Sequence, residues 1–339
     1  MSLMKTSIPL TVYRVESSTL ANVTGDRIRQ YAFRSIDQTP DELGSGFVPD
    51  TDMFAALNIS IPEKGNYMNF GLRIDTRKVP SAIFKKHLAE MTQEELQRTG
   101  KTFLSKNRKR DLKELCKTRL LSKTEPRPSM SGVAIDKTTG LVYFASTSKS
   151  VLELFEKYFK TAFNGELERL SPSTLAASNS DHPLEDFMRD LYTESMALSL
   201  NGKEYHITEQ GKATLSQAGG ATVSVTDVPN SALAGLESGL LFKSLKIRLS
   251  TMPDDELVSV FTLNADFSFS GLKTPRIKIE KGNDDPDASF MLKIGFIEET
   301  VTAMHSLFRQ HAGNEGEHHE KTALALSFVF WAGLARGGC

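Results

Sequence analysis

Apolar and polar residues alternate along several short segments of the chain, which is typical of β-strands. Near the start, Ile8, Leu10 and Val12 occupy every second position. The same period of two recurs further along, at Met68, Phe70, Leu72 and Ile74. Because successive side chains of a strand point to opposite faces, this pattern predicts half-buried strands.

Other segments repeat their apolar residues with the period of an α-helix. After Pro80, the residues Phe84, Leu88 and Met91 are spaced by four and three. Ser150 is suited to cap a second helix. The apolar face of that helix consists of Val151, Phe155, Tyr158 and Phe159. A last helix is predicted from Ile297, Val301, Met304 and Phe308.

The remaining pattern predicts antiparallel strands. Apolar segments at residues 133–135 and 141–145 flank a short polar connector that ends in Gly140, which predicts a β-hairpin. Further short strands are predicted around residues 245–249, 258–263, 267–269 and 277–279. The fold class predicted from these elements is α+β, with antiparallel sheets and flanking helices.

A chain of 339 residues exceeds the length at which one hydrophobic core usually stops growing. We expect an N-terminal α+β region at residues 1–170 and a C-terminal α+β region at 171–311, because residues 171–183 are rich in Ser, Ala, Asn and Pro. Residues 312–339 are expected to form a tail that is disordered or derived from a vector, or else a helix that packs onto the body or onto a partner. Its apolar run at residues 323–335 is shorter than the roughly 20 residues of a membrane span, so no membrane association is predicted.

Cysteine usage and the N-terminus indicate the compartment. Only Cys116 and Cys339 are present, so neither a disulfide framework nor a CxxC zinc site can form. The first ten residues have no apolar segment of signal-peptide length. These observations predict a cytoplasmic protein.

The net charge of −1 conceals a strong asymmetry along the chain. Residues 71–125 contain 15 Lys and Arg against seven Asp and Glu, a local charge of +8. Such a basic segment is typical of proteins that bind nucleic acids.

Motifs of catalysis are absent from the sequence. It contains no GxSxG, no GxxxxGK[ST] and no GxGxxG after a strand. His305, His311, His318 and His319 lie near the C-terminus without the spacing of a zinc motif. The sequence therefore predicts no enzyme activity, no cofactor and no metal, and a metal-dependent nuclease is only a remote third alternative.

Several short blocks, in order, resemble the recombination-associated RdgC family. The first two are Val12-Tyr13-Arg14-Val15 and Gly46-Phe47-Val48-Pro49. A long charged helix follows, within about residues 81–120, and contains Lys109-Arg110-Asp111-Leu112-Lys113-Glu114. The hairpin Ala134-Ile135-Asp136 with Gly140-Leu141-Val142 is the strongest match. The resemblance extends over roughly residues 8 to 311.

This resemblance implies a crescent-shaped subunit that closes with a second copy into a ring around duplex DNA. It implies a nucleoid-associated homodimer that binds double-stranded DNA, and single-stranded DNA as a further ligand, without sequence specificity. Such a protein would modulate RecA-dependent recombination or replication by competing for DNA. The expected DNA contacts are Arg73, Arg77, Lys78, Lys101, Lys106, Arg108, Lys109, Arg110, Lys113, Lys117, Arg119, Lys123, Lys246, Arg248, Arg276 and Lys278.

Two simpler interpretations stay open. The cations around residue 110 can form an ordinary solvated helix face, stabilised by i,i+4 pairs with Asp111 and Glu114. Residues 221–227, where the resemblance implies lysines, contain none. This difference favours an alternative function, a protein-interaction adaptor that keeps the fold without the DNA-binding surface.

Overall fold

A computed structural model describes residues 1–57, 63–175, 183–216, 222–226, 235, 239–277 and 285–334, with side chains in the last helix as far as residue 312. Two sequence predictions fall partly outside these ranges. The polar segment predicted as a boundary includes residues 176–182, and the predicted tail comprises residues 312–339. The predicted division into regions stays a prediction.

Within the described residues, 13 strands join into one sheet, and every pairing between named strands is antiparallel. The strands are β1 (Ile8–Val15), β2 (Leu43–Val48), β3 (Glu63–Lys64), β4 (Tyr67–Thr76), β5 (Arg127–Asp136), β6 (Leu141–Phe144), β7 (Leu167–Arg169), β8 (Met196–Leu200), β9 (Lys203–Ser216), β10 (Thr222–Thr226), β11 (Leu241–Met252), β12 (Glu256–Asn264) and β13 (Phe269–Lys273). Their order is β10-β9-β11-β12-β13-β1-β6-β5-β4-β2, with β3, β7 and β8 paired to β4, β1 and β9.

Eight helices accompany the sheet in the described part of the chain. They are α1 (Ser17–Leu20), α2 (Gly25–Gln30), α3 (Ser81–Thr99), α4 (Lys106–Leu121), α5 (Lys149–Phe163), α6 (Pro172–Leu175), α7 (Pro183–Thr193) and α8 (Pro286–Leu334). The α+β class and the antiparallel sheet predicted from the sequence are thereby confirmed.

Two hydrophobic cores hold the helices on the sheet. One core contains the aromatic face of α5, where Phe155, Phe159 and Phe163 are fully buried against β4, β5 and β6. The other lies under α7 and α8 and includes Ile297, Val301, Met304 and Phe308, the predicted apolar face of the last helix. Both predicted helical faces are confirmed. Phe47 also lies in the first core.

The predicted hairpin is formed by β5 and β6. Residue Val133 pairs with Phe144, and Ile135 pairs with Val142. The connector turns because Asp136 accepts hydrogen bonds from the Thr138 amide and the Thr139 hydroxyl. Gly140 follows in the left-handed region, at φ +72°, which glycine adopts without steric cost.

Three local predictions differ from the structure. The strand β4 is buried on both faces, because α5 covers one face and Tyr67, on the other, packs against Phe290 of α8. The cap of α5 is Ser148 rather than Ser150. No strand forms at Ile277, which lies in an irregular segment, and residue 279 lies outside the described ranges.

Candidate nucleic-acid interface

The single basic helix predicted within about residues 81–120 is instead two helices, α3 and α4, which pack together as a helical hairpin. Gly100 ends α3 in the left-handed conformation, at φ +66°. Ser105 begins α4, since its hydroxyl accepts a hydrogen bond from the Arg108 amide at 3.3 Å. Within α4, only Leu112, Cys116 and Leu121 are buried. The hairpin therefore has a thin apolar seam, and most of α4 faces solvent.

Four cations lie along one face of α4. Lys106, Arg110, Lys113 and Lys117 are spaced by four, three and four residues, which places them on one side of a helix. All four are exposed. Because a helix rises about 1.5 Å per residue, this α4 basic face is roughly 16 Å long.

Acidic neighbours neutralise only part of the α4 cations. Lys117 forms an ion pair with Glu42, and Arg108 forms one with Glu95 at 2.9 Å. Among the described residues, no carboxylate lies within ion-pair distance of Lys106, Arg110 or Lys113. These three cations are available to an external anion.

Glu95 of α3 forms ion pairs with two arginines of the hairpin. Its carboxylate accepts hydrogen bonds from Arg98 of the same helix and from Arg108 of α4. The bonds from Arg98, followed by those from Arg108, lower the pKa of Glu95 to about 2. Arg108 is thus half of an ion pair within the hairpin, although its side chain is still exposed.

The charge at the start of α4 is unfavourable for the helix itself. Lys106, Arg108, Lys109 and Arg110 lie within its first five residues, and no acid lies in the first turn. Cations near a helix N-terminus repel the positive end of the helix dipole, typically by 0.3–1 kcal/mol each. Local helix stability therefore does not explain this arrangement.

Arg73 and Arg77 have partners inside the fold, which does not favour the phosphate contacts predicted for them. Arg73 forms a two-pronged ion pair with Asp75, both distances being 2.7 Å, and its guanidinium lies over the ring of Phe33 at 4.0 Å. Arg77 is only 3% exposed, and it donates to the carbonyls of Ile36 and Thr39. Both guanidinium groups are occupied inside the fold.

The other expected DNA contacts divide into exposed and occupied residues. Lys78, Lys101, Lys109, Arg119, Lys123 and Arg276 are exposed. In β11, Lys246 is partly exposed, and Arg248 forms an ion pair with Asp255 at 3.0 Å. Lys278 lies outside the described residues. Arg276 lies in an irregular segment next to the strand predicted around residues 277–279.

The histidines noted in the sequence have separate surroundings. His305 is buried beside the ring of Phe267, whereas His311 contacts Asp190 at 2.8 Å. His318 and His319 lie beyond the described side chains. In the part of the chain that the structure describes, no group of three or more His, Cys, Asp or Glu is placed to hold a metal ion.

The described helices include none that is long and apolar enough for a membrane span.

Sequence reasoning missed three residues that shape this surface. Glu42 and Glu95 neutralise part of it, but Glu42 lies far from Lys117 in the chain, and no local pattern predicts that pair. Phe103 lies at the tip of the hairpin and is 76% exposed. Its position between Lys101 and Lys106 was the available signal.

Fold and surface together define an α+β protein with an extended antiparallel sheet and an exposed cationic helical hairpin. A family model described as "Putative exonuclease, RdgC" matches residues 9–182, slightly more than half of the chain. The protein belongs to the RdgC family. A comparison with curated proteins found no match.

Proposed function

We propose that this protein binds double-stranded DNA without sequence specificity and without catalysis. The observation that carries the proposal is the α4 basic face, on which Lys106, Arg110 and Lys113 are exposed and have no acidic partner among the described residues. Phosphate contacts of this kind supply affinity but carry no information about base sequence. Membership of the RdgC family supports the association with DNA.

The proposed assembly is a homodimer that closes into a ring around the duplex. In such a ring, encirclement would slow release and α4 would contact phosphates from inside. The protein would be located on the nucleoid in the cytoplasm and would limit RecA-dependent recombination or replication by occupying DNA. The assembly, the location and the cellular role are inferred from membership of the RdgC family. Sedimentation would test the homodimer, and retention of the protein on closed circular DNA would test the ring.

The first experiment compares two triple variants. One carries Lys106→Ala, Arg110→Ala and Lys113→Ala. The control carries Lys149→Ala, Lys157→Ala and Lys212→Ala, three exposed lysines outside α4 that form no ion pair in the described structure. Affinities for unrelated duplexes are measured over a salt series.

The α4 variant should bind every duplex more weakly by a similar factor. Each phosphate contact contributes roughly 0.9 to the steepness of the plot of log K against log salt concentration. Loss of three contacts should therefore make the negative slope shallower by up to about 2.7. The control should keep the slope of the parent protein. An unchanged slope in the α4 variant would remove α4 from the DNA surface.

The alternative is a protein-interaction adaptor, which the exposure of Ile83 and Leu115 on the same hairpin favours. Absence of DNA binding at low salt, together with capture of a protein partner, would support the adaptor.

The family description also contains the word exonuclease. Incubation of end-labelled duplex with Mg²⁺ or Mn²⁺ tests that activity, and we expect intact DNA.

A further inference from the structure

The tip of the α3–α4 hairpin exposes a large aromatic side chain to solvent. Phe103 is 76% exposed, the largest exposure among the large apolar side chains of the described residues. A buried phenylalanine side chain would stabilise the fold through the hydrophobic effect. This side chain does not contribute that stabilisation.

The exposed Phe103 lies in a short loop whose two ends are fixed. Gly100 and Ser105 fix its two ends, as the C-cap of α3 and the N-cap of α4. The neighbouring residue, Leu104, is buried and anchors the loop to the hairpin. With Leu104 directed inward, Phe103 is held outward beyond the ends of both helices.

Cations flank this ring in the sequence. Residues 98–110 include six Lys and Arg and no Asp or Glu. Arg98 and Arg108 are paired with Glu95, while Lys101, Lys106 and Lys109 are exposed. An apolar ring within a positive field attracts a ligand that combines a flat apolar face with negative charge.

We propose that Phe103 stacks on an unpaired base of bound DNA while the neighbouring lysines contact its phosphates. A second copy of this tip is a poor occupant because its charge has the same sign. Bases inside a duplex are already stacked on each other, so the ligand class is single-stranded DNA, a frayed end or a junction. This inference rests on the proposed function and adds a preference for exposed bases to it.

The test compares single-stranded and duplex binding for matched variants. The variants are Phe103→Ala, Phe103→Tyr and, as the control, Leu115→Ala, which removes an exposed apolar side chain from the middle of α4. The probes are a labelled oligothymidine and a blunt duplex of the same length, titrated at one salt concentration. Thermal unfolding checks that each variant remains folded.

Phe103→Ala should reduce affinity for oligothymidine by roughly 5- to 150-fold, the range for loss of one aromatic base stack, and leave duplex affinity within about twofold. Phe103→Tyr should restore most of the loss, because it keeps the ring. Leu115→Ala should resemble the parent protein. As a direct readout, Phe103→Trp combined with Trp331→Phe places the single tryptophan at the tip, and oligothymidine should quench its fluorescence.

Each failure has its own signature. Unchanged oligothymidine affinity in Phe103→Ala, or an equal loss on both probes, would overturn the stacking contact while leaving the proposed DNA binding in place. A change of oligomeric state in Phe103→Ala would overturn it in favour of a contact between subunits. Absence of binding to either probe by the parent protein would reject the proposed function itself.

Discussion

The helices α4 and α5 have nearly the same length, 16 and 15 residues, but opposite distributions of side chains. In α5, five residues are buried, three of them phenylalanines. In α4, three residues are buried and seven are Lys or Arg. The core of the protein therefore fixes α5, whereas α4 carries more charged side chains than its packing requires.

Aromatic contacts explain why α5 is fixed. The ring of Phe155 stacks on Phe144 of β6, with centroids 4.0 Å apart. It also meets Tyr13 of β1 edge to face, at 6.0 Å. The helix thus connects two neighbouring strands through one side chain, and α4 has no equivalent contact with the sheet.

The largest expected effect is on α5. Phe155→Ala should destabilise the protein by about 3–5 kcal/mol, because it removes a fully buried ring and leaves a cavity. Chemical denaturation measures the change, with Leu115→Ala as an exposed control on α4. A loss below about 1 kcal/mol would contradict the role assigned to the aromatic core.

A smaller effect is expected in the seam of the hairpin. Leu112→Ala should cost about 2–3 kcal/mol, at the low end for a buried leucine, because α3 and α4 can close partly around the gap. Hydrogen exchange should show the loss as faster exchange in α3 and α4, with the sheet unchanged. Equal acceleration across the sheet would show that the hairpin and the body unfold as one unit.

The response of the body to acid should come from His305. Burial, followed by the charges of Arg309 and Arg14, lowers the pKa of His305 to about 3. Because the unfolded chain binds this proton near pH 6.5, stability should fall as the pH decreases from about 6.5 towards 3, by at most about 1.4 kcal/mol per pH unit. His305→Leu should flatten this dependence, and an unchanged dependence in that variant would exclude His305 as the cause.

The smallest effect is the response of the hairpin to acid. The pKa of Glu95 is lowered to about 2, so its stabilising contribution is present above about pH 4.5 and is lost as the pH falls through 2. Hydrogen exchange of α3 and α4 should accelerate over that range. In Glu95→Gln the acceleration should be weaker, whereas an identical profile would show that other groups control the hairpin.

Elements with a strong local pattern were predictable from the sequence. The apolar face of α5 and the Asp136 turn each depend on residues within about a dozen positions, and both are confirmed. The burial of β4 on both faces was not predictable, because Phe290, which packs on Tyr67 at the start of the strand, lies more than two hundred residues away in the chain. Local periodicity contains no signal for such a contact.

The candidate surface was predictable only in part. The density of cations in α4 is a local property, and the sequence shows it directly. Whether each cation is free depends on distant partners, such as Glu42 for Lys117 and the Ile36 carbonyl for Arg77. For this reason the sequence could not separate the structural arginines from the exposed lysines.

The position of β1 in the sheet has a consequence for biosynthesis. One edge of β1 pairs with β6, and its other edge pairs with β7 near Val15 and with β13 at Ile8 and Leu10. The ribosome synthesises β13 about 100 residues after β7. At roughly 5 to 20 residues per second, the delay is roughly 5 to 20 seconds. Until then the first strand has a partly open edge, the kind of surface that recruits a wrong partner strand. We therefore expect the nascent N-terminal half to depend on chaperones until β13 leaves the ribosome and pairs with β1.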